Sequence, residues 1–253
     1  MTGALGAFVL VTPVQASGSV ALNGPVTNTE APAGQQATHP WTAIIPVRSL
    51  TEGKSRLEHP AIAPQALIEA FVTDVVNACL DCPQIGRTVL VSPDPSAASL
   101  TDSLGCEFFA EPAVIGINEA IVATRSALAS AEPVIAILGD TPCLTGPVLT
   151  AVLHRAEGQP VSFVPDAAGT GSTMWCSTDP AADPHFGHHS RARHREDGAI
   201  ELGPKQPSPE LLALWARARR DVDTDVDLWD ACRLGTGPAT TALIKDSRVM
   251  PRK

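Results

Sequence analysis

The sequence predicts a single α/β domain in which a mostly parallel central sheet carries helices on both faces. Short apolar runs alternate with segments of helical period, the rhythm that buries a parallel sheet between helices. Hydrophobic residues make up 44% of the chain and aromatics only 4%, so the core is built from aliphatic side chains. A length of 253 residues without an internal repeat suits one domain.

The first element is TAIIPV, after Trp41: a compact apolar run that reads as a buried strand and opens into the polar stretch RSLTEGKSRL. Leu67, Phe71, Val75 and Ala78 then recur at helical spacing, RTVLVS (87–92) supplies a second strand, and SAASLTDSL is compatible with a helix. EFFA, NEAIVATRSALAS, PVIAIL, LTAVLHRA and VSFVP continue the alternation. After Trp175 the pattern lapses into CSTDPAADPHFGHHSRARHREDG, which reads as a long polar loop, and loops of this length are usually functional. Periodicity returns at PELLALWARA, passes through DVDTDVD, and ends in a last helix. There Thr224 and Asp227 resemble a capping box and Gly235 a stop.

Composition narrows the function. A formal net charge of −9 argues against a general polyanion-binding surface, so any phosphate must sit in a local pocket. The six cysteines are scattered through apolar stretches rather than framing short loops, which points to a reducing cytoplasm. Cys79 and Cys82 form a CxxC without a second pair, and buried thiols are the reading preferred to a metal or redox site. GAFVLV near the start resembles a signal sequence, but no Lys or Arg precedes it, and no apolar run approaches the roughly 18 residues of a membrane span. Residues 1–40 are therefore expected to be a disordered extension or an over-long gene start, 41–245 the folded domain, and 246–253 a tail.

Parallel α/β sheets place ligands outside the carboxyl ends of their strands, and three polar loops follow strand ends. RSLTEGKSRL contains Gly53 with Arg48, Lys54 and Arg56; it reads either as a triphosphate grip or as a solvated loop. GDTPCL places Asp140 directly after an apolar strand, where a buried carboxylate calls for a cation. Magnesium would then take a second acid, with Asp221 and Asp223 of DVDT as candidates. The competing readings are a turn-forming Asp140 and a helix cap at DVDT. AAGTGSTMW offers glycine amides and the hydroxyls of Thr170, Ser172 and Thr173, which suit a small anion. FGHHSRARH offers Gly187, Ser190, Arg191 and Arg193 in similar fashion. The His residues at 185, 188, 189 and 194 read as a solvated loop in preference to a zinc site.

Taken in order, IPVRSLTEGKSRL, VLVSPDP, GINEAI, ILGDTPCL, DAAGTGSTMW, PHFGHHSRARH, DVDT and LGTGPAT resemble the guanylyltransferases of coenzyme F420 biosynthesis across about residues 42–241. GTGST with FGxxSRARH and DVDT is the more specific part. The resemblance implies a GT-A or Rossmann-like nucleotidyltransferase fold, Mg2+ as cofactor, and GTP as donor. The acceptor it implies is phosphoenolpyruvate in actinobacterial members, with 2-phospho-L-lactate or 3-phospho-D-glycerate in others, and the next enzyme of the pathway is an implied partner.

Carried over by residue, the resemblance makes Ser172, Gly187 and Ser190 the phospho-acid contacts and Asp140 and Asp221 the magnesium ligands. The nucleotide is assigned to Arg48, Gly53, Lys54 and Asn118, and catalysis to Lys54, Arg56 and Asp140. Ser172 stands where Thr is common, Arg48 where Lys is usual, and His188 and His189 where the family commonly has Pro and an acid. In the implied reaction the acceptor phosphate attacks the α-phosphorus of GTP without a general base. Two alternatives remain: a related nucleotidyltransferase acting on another acceptor, and a non-catalytic nucleotide-binding protein.

Overall fold

The computed structural model describes residues 40–48, 57, 62–111, 116–128, 132–206 and 208–247. The first half runs β1 (Trp41–Pro46), α1 (Pro64–Leu80), β2 (Ile85–Ser92), α2 (Ser96–Leu104), β3 (Glu107–Ala110), α3 (Ile117–Leu128) and β4 (Val134–Ile137). Then follow α4 (Gly146–Ala156), β5 (Val161–Pro165), β6 (Ser172–Ser177), α5 (Ser190–Glu196) and β7 (Ile200–Glu201). The chain closes with α6 (Pro209–Ala218), α7 (Asp225–Leu234) and α8 (Pro238–Asp246).

Among the described residues seven strands form one sheet in the order β3-β2-β1-β4-β6-β5-β7. β1 pairs parallel with β2 and β4, β2 with β3, and β5 with β7; only β6 runs antiparallel, between β4 and β5. The apolar run of β1 explains its place, since all six residues of WTAIIP are buried, as a strand covered on both faces requires. Alternate side chains serve opposite layers. Ala43 and Ile45 pack with α1, α4 and Trp215 of α6, whereas Ile44 packs with Val91, Ala120 and Ile121, Trp175 and Phe186. A third cluster joins Leu67 and Phe71 of α1 to Val222, Leu228 and Ile244.

Helix boundaries follow local chemistry. Pro64 opens α1, the Thr145 side chain accepts from Val148 N at the start of α4, and α2 stops at Gly105 with φ 74°. The expected capping box at α7 is present, with Thr224 and Asp227 bonding reciprocally and Gly235 as C-cap.

Three expectations are corrected. DAAGTGST is not all loop: its Ser172 and Thr173 begin a fully buried strand, Ser172–Ser177, hidden from pattern reading because it opens on hydroxyls directly after glycine. The polar stretch after Trp175 contains the helix α5, with Ser190 and His194 buried. The helix ending at Gly235 is not the last. α8 follows, its first amides, Ala239 N and Thr240 N, donating to the buried Asp74 carboxylate of α1 at 2.9 and 3.0 Å.

All six cysteines are free thiols, as the sequence reading preferred. No helix among the described residues is long and apolar enough to cross a membrane.

The antiparallel turn of β6 matters for function. It brings the start of β6 to the edge where β1, β2, β3, β4 and β5 end, next to the β1/β4 position where the parallel order reverses.

Candidate active site

Asp140 lies in the turn leaving β4. That turn is closed by Thr141 Oγ1 donating to Leu138 O at 2.8 Å, and held to β6 by Leu138 N donating to Thr173 O at 3.0 Å. Val222 N donates to Asp140 O at 3.0 Å, and the Val222 side chain is buried in the third cluster. This clamp brings Asp221 beside Asp140. Burial pushes the Asp221 carboxyl up to about 7, and the negative charges of Asp140, then Asp166 and Asp223, push the same way.

Asp223 takes a different place. It is exposed, and its amide donates to the α7 capping carboxylate of Asp227. Among the described residues no group of three or more His, Cys, Asp or Glu side chains is placed to hold a metal. Of the expected set of Asp140, Asp221 and Asp223, Asp221 lies beside Asp140, while the Asp223 backbone is turned to the start of α7. Of the histidines, His194 is fully buried, His185 pairs with Asp197 at 3.1 Å, and His188 and His189 are exposed.

Asp166, which the sequence reading passed over in favour of its glycine and hydroxyl neighbours, organises the loop from β5 to β6. Its carboxylate accepts from Thr170 N at 2.9 Å and Gly171 N at 2.7 Å, closing the loop over the Ala-Ala-Gly stretch between them. Its carbonyl accepts two bonds from Arg219, at 3.0 and 2.7 Å. A side chain at Gly171 would collide with the Asp166 carboxylate, so the close approach needs glycine there.

The two serines assigned to the acceptor are brought together. Ser172 Oγ, at the start of β6, lies 2.9 Å from Ser190 Oγ, at the start of α5, and both residues are buried. The turn between Phe186 and Ser190 is tightly specified. Gly187 has φ 108°, His189 is the one non-glycine residue with positive φ among those described, and Ser190 N donates to Gly187 O at 3.1 Å.

Of the two arginines, Arg191 is engaged within the protein. It forks onto Glu201 with two bonds of 2.8 Å and donates to Gly169 O at 2.9 Å, while Arg195 reaches the same carboxylate at 2.7 Å. The Arg191 bond holds Glu201 below the usual carboxylate range. Arg193 is exposed and donates to Phe186 O at 3.1 Å.

Behind this turn stands His194. Its ring stacks on Phe163 at 5.1 Å, meets Phe186 edge-on at 5.6 Å, and accepts from His185 N at 2.9 Å. Burial lowers its pKa to about 4, so it is neutral at ordinary pH.

A cleft of about 210 Å³ opens beyond β1 and β2, lined by Pro46, Val47, Arg48, Val91, Pro93, Glu111, Gly116, Ile117 and Ala120. Val47 ties it to the carboxylate turn: a Cβ at Gly139 would stand 3.1 Å from Val47 Cγ2. Arg48 lines this cleft. The Asn118 carboxamide engages protein backbone: its Oδ1 accepts from Phe186 N at 2.8 Å and its Nδ2 donates to Phe186 O at 3.1 Å. Gly53, Lys54 and Arg56 lie outside the described residues.

This arrangement has relatives. The family described as MobA-like NTP transferase domain matches residues 54–220. The phosphoenolpyruvate guanylyltransferase of Mycolicibacterium gilvum is 35% identical over 208 residues, covering 79% of this chain and 93% of that protein. That of Streptomyces coelicolor is 37% identical over 211 residues, covering 80% and 95%. Among solved structures, a nucleotide-diphospho-sugar transferase from Desulfovibrio desulfuricans G20 superposes with a TM-score of 0.60 at 15% identity, over 82% of this chain and 95% of that one. A nucleotidyl transferase from Methanothermobacter thermautotroptrophicus gives 0.51 at 14%, over 77% and 97%. The structures share the fold; the sequence relatives share far more, and on their identity and coverage the chain belongs to the phosphoenolpyruvate guanylyltransferase family of nucleotidyltransferases.

Proposed function

We propose that the protein transfers GMP from GTP to the phosphate of phosphoenolpyruvate, releasing pyrophosphate and forming enolpyruvoyl-2-diphospho-5'-guanosine, a step of coenzyme F420 assembly. The observation that carries this reading is the Ser172–Ser190 hydroxyl pair at the same sheet edge as the Asp140–Asp221 carboxylates. Hydroxyls and loop amides suit the small anion, and the paired carboxylates suit the nucleotide's cation.

The donor set fits Mg2+. Two adjacent half-buried carboxylates, one pushed up to about 7, suit a hard cation, and magnesium generally takes few protein ligands, completing its shell with phosphate oxygens and water. Asp140 and Asp221 would hold it. When bound, it supplies neutralisation of phosphate charge.

The protein's own residues then supply alignment. Ser172, Ser190 and the Gly187 turn hold the phospho-acid, and the cleft beside Arg48 takes the nucleoside. One acceptor phosphate oxygen attacks the α-phosphorus in line; the new P–O bond forms as the α–β bond breaks, and pyrophosphate departs with the electron pair. No general base is required, because a phosphate monoester is already an anion near neutral pH. Lys54 and Arg56 are assigned to the departing pyrophosphate on sequence grounds. Asp166 and Arg191 hold the acceptor loops in shape.

The test is pyrophosphate release from GTP and magnesium with phosphoenolpyruvate, 2-phospho-L-lactate and 3-phospho-D-glycerate in parallel. Phosphoenolpyruvate should give the highest kcat/KM. No pyrophosphate with any of the three refutes the assignment.

A further inference from the structure

Asn118 occupies a position that neither substrate explains. It sits in the first turn of α3, between residues that line the cleft, Gly116, Ile117 and Ala120. Yet both ends of its carboxamide bond the N–H and C=O of Phe186, 68 residues away. Phe186 immediately precedes Gly187, the start of the acceptor turn.

A second observation joins the same two places. The Phe186 side chain is buried in one apolar cluster with Val91 and Ala120, with Ile117 packed against it, and all three of those residues line the cleft. On the other side it meets His194 of α5, whose first residue is Ser190. Phe186 is therefore fixed to the cleft wall through its backbone by Asn118 and through its ring by packing. A carboxamide bonded to both groups of one residue is a geometric clamp, since a shift of α3 strains both bonds; Phe186 N has Asn118 as acceptor, and Phe186 O is shared with Arg193.

We propose that Asn118 is a positioning residue that couples the nucleotide cleft to the acceptor turn, so that filling the cleft tightens phospho-acid binding. This rests on the guanylyltransferase reading for the identity of the two ligands. A nucleotide seated against Ile117 and Ala120 sets the position of the first turn of α3; Asn118 transmits that position to Phe186, and the Gly187–Ser190 turn follows. By linkage the phospho-acid tightens nucleotide binding by the same factor.

The experiment compares the wild type with Asn118→Ala, and with the isosteric Asn118→Asp, which keeps the acceptor for Phe186 N and loses the donor. Steady-state pyrophosphate release gives both KM values. Calorimetry with α,β-methylene GTP, which cannot transfer its nucleotidyl group, gives phosphoenolpyruvate affinity with and without nucleotide. In the wild type the analogue should raise phosphoenolpyruvate affinity about fivefold or more. In both variants that gain should disappear and the KM for phosphoenolpyruvate should rise about tenfold, with affinity for the analogue alone unchanged.

A variant that weakens the analogue alone and keeps the gain would make Asn118 a direct nucleotide ligand and overturn the proposal. So would a wild type whose phosphoenolpyruvate affinity ignores the nucleotide. A wild type without turnover on any phospho-acid overturns the reading beneath it instead.

Discussion

Ser172 and Ser190, 18 residues apart in sequence, bring their hydroxyl oxygens to 2.9 Å because an antiparallel strand and a short helix both begin at that point. A pair of hydroxyls already bonded to each other can turn both donors onto an incoming anion. The expected consequence is a selective effect on the acceptor. Ser190→Ala should raise the KM for phosphoenolpyruvate by tenfold to about a hundredfold, the range for losing one hydrogen bond to a charged group, while the KM for GTP stays within about twofold. Ser172→Thr keeps the hydroxyl and should stay near normal. The double alanine variant should lose less than the product of the single losses, because the two act on one ligand. Equal effects on both substrates would remove the pair from the acceptor site.

Asp140 and Asp221 repel one another in the protein without metal, which helps to push Asp221 up to about 7. Asp140→Asn should lower turnover by about a hundredfold or more, since several kcal/mol of charge neutralisation depend on the cation. The same substitution removes the repulsion, so the Tm in the presence of EDTA should be equal to or above that of the wild type. Chelation should stop turnover by the wild type, and added magnesium should restore it. Near-normal turnover of Asp140→Asn would end its role as ligand.

His194 sets a pH dependence of stability. Burial depresses its pKa to about 4, His185 and Arg193 push the same way, and Asp197 opposes them. The unfolded chain takes up a proton near pH 6.5, whereas the native ring stays neutral until about 4. The stabilising contribution is therefore present above pH 6.5 and is lost as pH falls through the interval, by up to roughly 3 kcal/mol. His194→Gln should flatten the fall in denaturation free energy between pH 6.5 and 4. Parallel curves for variant and wild type would exclude His194 as the source.

Asp74 makes a prediction far from the chemistry. It is buried on α1, and its carboxylate accepts the first free amides of α8; burial raises its pKa while those bonds oppose the rise. Asp74→Ala should destabilise by about 2–3 kcal/mol in urea denaturation, since it removes a cap and leaves a buried and a part-buried donor without that partner. Asp74→Asn, which keeps an acceptor, should cost less. KM values at low temperature should be unchanged in either variant.

These predictions separate what was legible in the sequence from what was not. The strands β1, β2, β4 and β5, the helices α1 and α7, and the candidate residues Asp140, Asp221, Ser172 and Ser190 all follow from local pattern or from ordered motifs. Period and capping chemistry depend only on near neighbours in the chain. β6, α5 and α8 were not legible, because their burial comes from elsewhere. Ser172–Ser177 is covered by β4 and β5, and His194 by Phe163 and Phe186.

The sequence by itself determined the sheet of aliphatic strands, the acidic surface charge, and the loops that carry carboxylates and hydroxyls. Only the tertiary structure decided which of those groups work together. Asp221 joins Asp140 because Val222 is buried and bonded to its carbonyl, and Asp223 falls away to a helix cap. Arg191 closes on Glu201, Asn118 on Phe186, and Asp166 on its own loop. Each outcome depends on a partner supplied by a different element, and the chain's local pattern carries no record of which element that is.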